Sequence, residues 1–150
     1  MIVDAILRAF QEMHERKWDT LFFAVDLHGT IIKRYTDNDI EPYEGAEETL
    51  KYLSDRKDIV LILYTSSYLE NLHSFYKWCD ERGIVFKYLN ENPDCPSNKT
   101  GDFSTKFYFN VLIDDRAGFE PEDNGWEKIL ESIKLGTWML EGWRAEETKN

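Results

Sequence analysis

Two uninterrupted apolar runs, Leu21-Phe22-Phe23-Ala24-Val25 and Ile59-Val60-Leu61-Ile62-Leu63-Tyr64, set the strongest limit on this fold. Neither alternates polar with apolar side chains, and both are short for a helix. Runs of this kind belong to strands covered on both faces, which is the habit of parallel sheets. The first run stops at Asp26 and the second at Thr65. Polar residues are thereby delivered to the carboxyl edge of a sheet, where open α/β folds bind their ligands.

Helical periodicity surrounds these runs. Ile2, Ile6, Phe10 and Met13 repeat at helical spacing with Val3 and Leu7 beside them, predicting a helix over 2–17. Residues 30–44 read as irregular, and a helix over 45–56 turns Ala46, Leu50 and Leu53 inward. Ser67-Tyr68-Leu69-Glu70 has the form of a capping box. It predicts a helix in which Leu69, Leu72, Phe75, Tyr76 and Cys79 share one face, stopped at Gly83. Residues 84–86 read as a short third strand, 89–105 as a long loop and 111–113 as a fourth strand. Trp126, Ile129, Leu130 and Ile133 mark a last helix, and the polar residues from Arg144 read as a frayed tail. Strands alternating with helices predict a Rossmann-like three-layer α/β/α fold with a mostly parallel sheet. One domain is expected over 1–150, with an N-terminal helix extension at 1–18, a core at 19–135 and a C-terminal tail at 136–150.

The formal charge of −11 disfavours binding to nucleic-acid backbones. A phosphorylated substrate remains admissible, because a bound divalent cation reverses the local sign. No apolar run approaches the roughly 20 residues of a membrane span. The start, Met1 to Arg8, lacks the basic segment and cleavage site of a signal peptide. A cytoplasmic protein without a membrane partner is expected. Cys79 and Cys95 match no zinc or redox spacing and read as free thiols. His14 and His73 have no ligand partners at useful spacing and read as structural.

Polar groups at three strand ends suit one chemistry. Asp26 ends the first strand, Thr65 the second, and Asp114-Asp115 the fourth; Lys106 lies just before that fourth strand. A carboxylate can attack a phosphoryl group and form an aspartyl-phosphate. Its repulsion by the phosphate must be offset, and Mg²⁺ prefers oxygen ligands from carboxylates, phosphate and water. A hydroxyl and backbone amides at a helix N-terminus bind phosphoryl oxygens, and Thr65 with Ser66 fits that role.

Asp26-Leu27-His28-Gly29-Thr30 resembles the first motif, Asp-x-Asp-x-Thr, of the haloacid dehalogenase-like (HAD) phosphatases. His28 stands where a second aspartate is usual. Thr65, Lys106 and Asp114-Asp115 follow in the order of that superfamily, and the resemblance covers roughly residues 20–135. It implies Asp26 as nucleophile, His28 as general acid and base, and Lys106 paired with Asp26 and the phosphate. It implies Thr65 as a phosphate ligand. Mg²⁺ would be held by Asp26, the His28 backbone carbonyl, Asp115 directly and Asp114 through water. Residues 30–44 are too short for more than a hairpin-like flap, so the resemblance implies a hydrolase without a large cap domain. Its open site would be rimmed by Tyr35, Tyr43, Tyr68 and the 89–105 loop. The alternative expectation is a non-catalytic protein of the same fold that binds a phosphorylated ligand or a protein partner.

Overall fold

The computed structural model describes residues 1–36 and 39–149, of which 34–36 and 39 are described by their backbone alone. Helix α1 (Ile2–Arg16) precedes strand β1 (Leu21–Asp26), and β2 (Ile32–Thr36) and β3 (Asp39–Pro42) form an antiparallel hairpin. Helix α2 (Ala46–Ser54), β4 (Ile59–Tyr64), α3 (His73–Arg82), β5 (Tyr88–Leu89), β6 (Val111–Ile113) and α4 (Gly125–Thr148) follow. The main sheet is parallel, in the order β5-β4-β1-β6. The expected Rossmann-like α/β architecture is present, with flanking helices and, among the described residues, no large cap; the segment after β1 carries the two-stranded hairpin. Among the described residues, no helix is long and apolar enough to cross a membrane.

Alternation along the strands sorts their side chains into two faces. Leu21, Phe23 and Val25 of β1 join Leu61 and Leu63 of β4 and Ile113 of β6 in one cluster with residues of all four helices. Phe22, Ala24 and Ile62 are also buried but stand outside that cluster, on the opposite face. The segment from β5 to β6 covers Phe22: Tyr108 packs edge-on against it at 6.3 Å, and Asn110 Oδ1 accepts its backbone N–H at 2.7 Å. Both faces of the first apolar run are thus dry, as its composition demands.

Three local expectations are corrected. Helix α3 starts at His73, and Leu69–Asn71 forms a separate 3₁₀ turn with no side-chain cap. The Ser67 hydroxyl is engaged elsewhere, with His28 and Thr65, so the capping box does not form and Leu69 is exposed. The third strand is Tyr88–Leu89, not residues 84–86, because Ile84 serves the end of α3: its N–H donates to the Cys79 carbonyl beyond Gly83. The polar tail is helical to Thr148. There Trp143 stacks on His14 at 5.3 Å, and Glu147 meets Lys17 and His14. Helix α1, the expected N-terminal extension, packs on the core, with Ile6, Phe10 and Met13 fully buried in the main cluster. Cys79 is buried on α3, and burial pushes its thiol up to about 12.

Close packing of α1 on α4 needs Gly136, where an added Cβ would meet the Phe10 ring at 2.4 Å. A Cβ on Gly142 of the same helix would meet nothing within 4 Å. We expect Gly136→Ala to lose about 1–3 kcal/mol through overpacking despite its better helix propensity. Gly142→Ala should gain up to about 1 kcal/mol. Urea unfolding of the two variants checks this; equal effects would overturn the packing argument.

Candidate functional site

The carboxyl ends of β1, β4 and β6 meet on one edge of the sheet. Asp26 pairs in register with Tyr64, and Val25 with Ile113, so Asp114 follows on the strand beside Asp26. After Asp26 the chain turns at once. The Leu27 carbonyl accepts from the N–H groups of Thr30, Ile31 and Ile32 within 3.3 Å, and Gly29 occupies φ 80°. Glycine is required there twice over: an L-residue is strained at that φ, and its Cβ would come within 2.7 Å of Asp115 Oδ2.

Thr30 is the centre of this turn. It is fully buried, and its Oγ1 lies 3.0 Å from Asp26 Oδ2 and 3.2 Å from Asp115 Oδ1. The same oxygen accepts the Asp115 backbone N–H at 3.0 Å. One hydroxyl proton therefore serves two carboxylates. Asp114 Oδ1 caps the 3₁₀ turn that follows, accepting from the Arg116 N–H at 2.9 Å. Oxygen atoms of Asp26, Asp114 and Asp115 all lie within 4.8 Å of one another.

The three carboxylates crowd one another here. Burial raises the Asp26 carboxyl to about 6, and the nearby Asp114 and Asp115 add to this, against hydrogen bonds from Thr30 and the Leu27 backbone. Crowded carboxylates with too few donors and only oxygen atoms to offer suit a hard divalent cation.

Thr65 is buried and tied down. Its backbone N–H donates to Asn90 Oδ1 at 2.9 Å, and Asn90 Nδ2 donates to its carbonyl at 2.8 Å. Thr65 Oγ1 accepts the Ser67 N–H and meets Ser67 Oγ, each at 3.2 Å. Ser67 Oγ also lies 3.0 Å from His28 Nε2, which joins the β1 turn to the end of β4. Burial pushes the His28 imidazole below its ordinary value. The His28 carbonyl, expected as a metal ligand, belongs to the same turn as Gly29. Ser66 is exposed beside Thr65.

Lys106 departs from its expected place. It is exposed, its ammonium stands 5.9 Å from the Phe109 ring centre, and among the described residues it makes no ion pair with Asp26. Of the expected rim residues, Tyr68 is exposed and Tyr43 is buried against the core, while the side chain of Tyr35 lies outside the described residues. Sequence reasoning missed the roles of Thr30, Gly29 and Asn90. The motif itself carried a signal for the first two. Nothing in the sequence marked Asn90.

Among solved structures, a conserved protein from Bacteroides thetaiotaomicron is similar to this chain, with 34% identity and a TM-score of 0.59. The match covers 77% of this chain and 91% of that one. No protein-family model and no curated protein matches.

Asp26 links this site to stability. Its folded-state value lies above the unfolded 3.8, so the stabilisation is full below pH 3.8 and is lost as pH rises through about 6. A rise of that size corresponds to about 3 kcal/mol, which solvent screening of a half-exposed carboxyl reduces to roughly 1 kcal/mol. In EDTA at pH 7.5 (roughly neutral, above the Asp26 transition), Asp26→Asn should therefore melt above the wild type. Added Mg²⁺ should raise the wild-type midpoint and leave the variant nearly unmoved. A thermal-shift series with and without Mg²⁺ reads both.

Proposed function

This chain belongs to one family with the conserved Bacteroides thetaiotaomicron protein, and we propose that it is a Mg²⁺-dependent phosphate-ester hydrolase of the HAD type. One observation carries the reading: Asp26, Asp114 and Asp115 converge at the strand ends, on the edge where Thr65 also lies. Asp26, Asp115 and the His28 carbonyl would hold Mg²⁺, with Asp114 reaching it through water. The ion would neutralise the carboxylates and the substrate phosphate.

The chain's own residues supply the rest. Asp26 Oδ forms a bond to phosphorus as the bond to the ester oxygen breaks, and the electron pair leaves with that oxygen. Thr65 and the backbone at Ser66 and Ser67 bind phosphoryl oxygens. Lys106 must swing from Phe109 to reach the phosphate. His28, steadied by Ser67, gives a proton to the departing oxygen and takes one from the water that cleaves the aspartyl-phosphate. Phosphate and free Asp26 are regenerated.

A second reading is a non-catalytic phosphoryl-ligand binder. The exposed position of Lys106, away from Asp26, favours it.

Asp26→Asn should abolish hydrolysis in an assay with Mg²⁺ across a panel of phosphate esters. Equal turnover by the variant would sink the nucleophile assignment. His28 is pushed below 6.5, so its protonated form is populated only in acid. Turnover of an alkyl phosphate should therefore fall as pH rises from 6 to 8, by about tenfold per pH unit where His28 is mostly neutral. A flat profile over pH 5–8.5 (an interval spanning roughly the ordinary histidine range) counts against His28 as the acid. His28→Asp then distinguishes a working histidine, which loses rate, from an impaired site, which gains on the order of 10²–10⁴.

A further inference from the structure

The side chain of Asp26 shares its face of the sheet with a row of aromatic residues. Asp26 pairs in register with Tyr64, so both side chains leave the same face from adjacent strands. Tyr64 is 42% exposed. Its ring lies 5.8 Å from Phe107, edge-on, and Phe107 lies 5.8 Å from Phe109 in the same way. Just past Thr65, Tyr68 and Leu69 are 75% and 66% exposed. Single exposed apolar residues are ordinary, but a cluster beside a polar site calls for an occupant.

The flank beside Gly29 and Asp115 combines Tyr43, Phe119 and Pro121 with a cluster of acids. A cavity of about 440 Å³ beside Gly29 and Asp115 is lined by Glu120, Glu122 and Asp123. An anionic leaving group is repelled from that side. On the Tyr64 side, the edge-on rings of Tyr64 and Phe107 offer the geometry that a third ring prefers.

Resting on the phosphatase reading, we propose that Tyr64 and Phe107 determine specificity and select aryl phosphate monoesters. The ring of the leaving group packs on Tyr64 and Phe107 while Asp26 attacks phosphorus. As the Asp26–phosphorus bond forms, the phosphorus–oxygen bond to the ring breaks, and the phenol oxygen takes the electron pair. A phenolate carries that charge far better than an alkoxide, so an aryl ester asks less of His28 as a proton donor.

The test separates binding from leaving-group reactivity by using phosphonates, whose carbon–phosphorus bond this chemistry does not cut. Phenylphosphonate and methylphosphonate are titrated into the protein with Mg²⁺ by calorimetry. The wild type should bind phenylphosphonate about tenfold or more tighter, the worth of a good aromatic contact. Replacing Tyr64→Ser together with Phe107→Ser should shrink the ratio to about threefold or less, with methylphosphonate affinity unchanged. Tyr64→Phe, which keeps the ring, should retain the preference. A wild-type ratio near one, or a ratio retained by the double variant, overturns the proposal. Methylphosphonate binding without a phenyl gain sinks the aryl selection alone. Absence of any phosphonate binding, with no ester hydrolysed, sinks the phosphatase reading and this proposal with it.

Discussion

The arrangement of the site depends on how Thr30 is held. Its hydroxyl sits between the carboxylates of Asp26 and Asp115, and its carbonyl accepts the Trp126 indole N–H at 2.8 Å. Thr30 and Trp126 are both fully buried. A buried carbonyl or indole left without its partner would cost about 1–3 kcal/mol, so the two lock each other. Through Trp126 the first turn of α4 fixes the loop after β1. Through Thr30 that loop fixes Asp115, which comes from a different strand. Trp126 also accepts, at its carbonyl, the Thr49 hydroxyl from α2 at 3.1 Å. Three elements distant in sequence thus converge on one turn, and the carboxylates inherit its rigidity.

The strands that carry the site were legible because burial leaves a plain mark on composition. β1, β4 and β6 fall where the apolar runs place them, and Asp26, Thr65 and Asp114 end them or follow at once. What was not legible involves competition between partners. Ser67 has the spacing of a helix cap, yet its hydroxyl is taken by His28 and Thr65. Ile84 has the character of a strand residue, yet it closes α3 beyond Gly83. The C-terminal tail looks polar because its stabilising contacts are polar too, and only the fold brings Glu147 to Lys17. Asn90 binds both backbone groups of Thr65 across 25 residues, a relation without any local signal.

Two features that look like weaknesses follow from one imbalance. Burial, with the neighbouring Asp114 and Asp115 adding to it, raises Asp26 to about 6 despite the hydrogen bonds from Thr30 and the Leu27 backbone. The raised Asp26 carboxyl therefore costs the fold stability as pH rises through about 6. This is the usual trade of stability against a site prepared for charge. In the proposed reaction, a cation held by these carboxylates would offset their mutual repulsion and stabilise the fold.

The histidine in the first motif fits this economy. An aspartate at position 28 would add a fourth carboxylate to a cluster already short of donors, and its charge would raise Asp26 further. An imbalance of that kind is avoided by His28, which brings no negative charge and whose charged form is disfavoured by desolvation. The ring bonds Ser67 and ties the β1 turn to the end of β4. In the proposed reaction, that shift weakens His28 as a proton donor near neutral pH. In the proposed reaction that loss weighs least on leaving groups that depart without a proton, and the exposed ring of Tyr64, with Phe107 edge-on to it, stands on the face where such a group would lie.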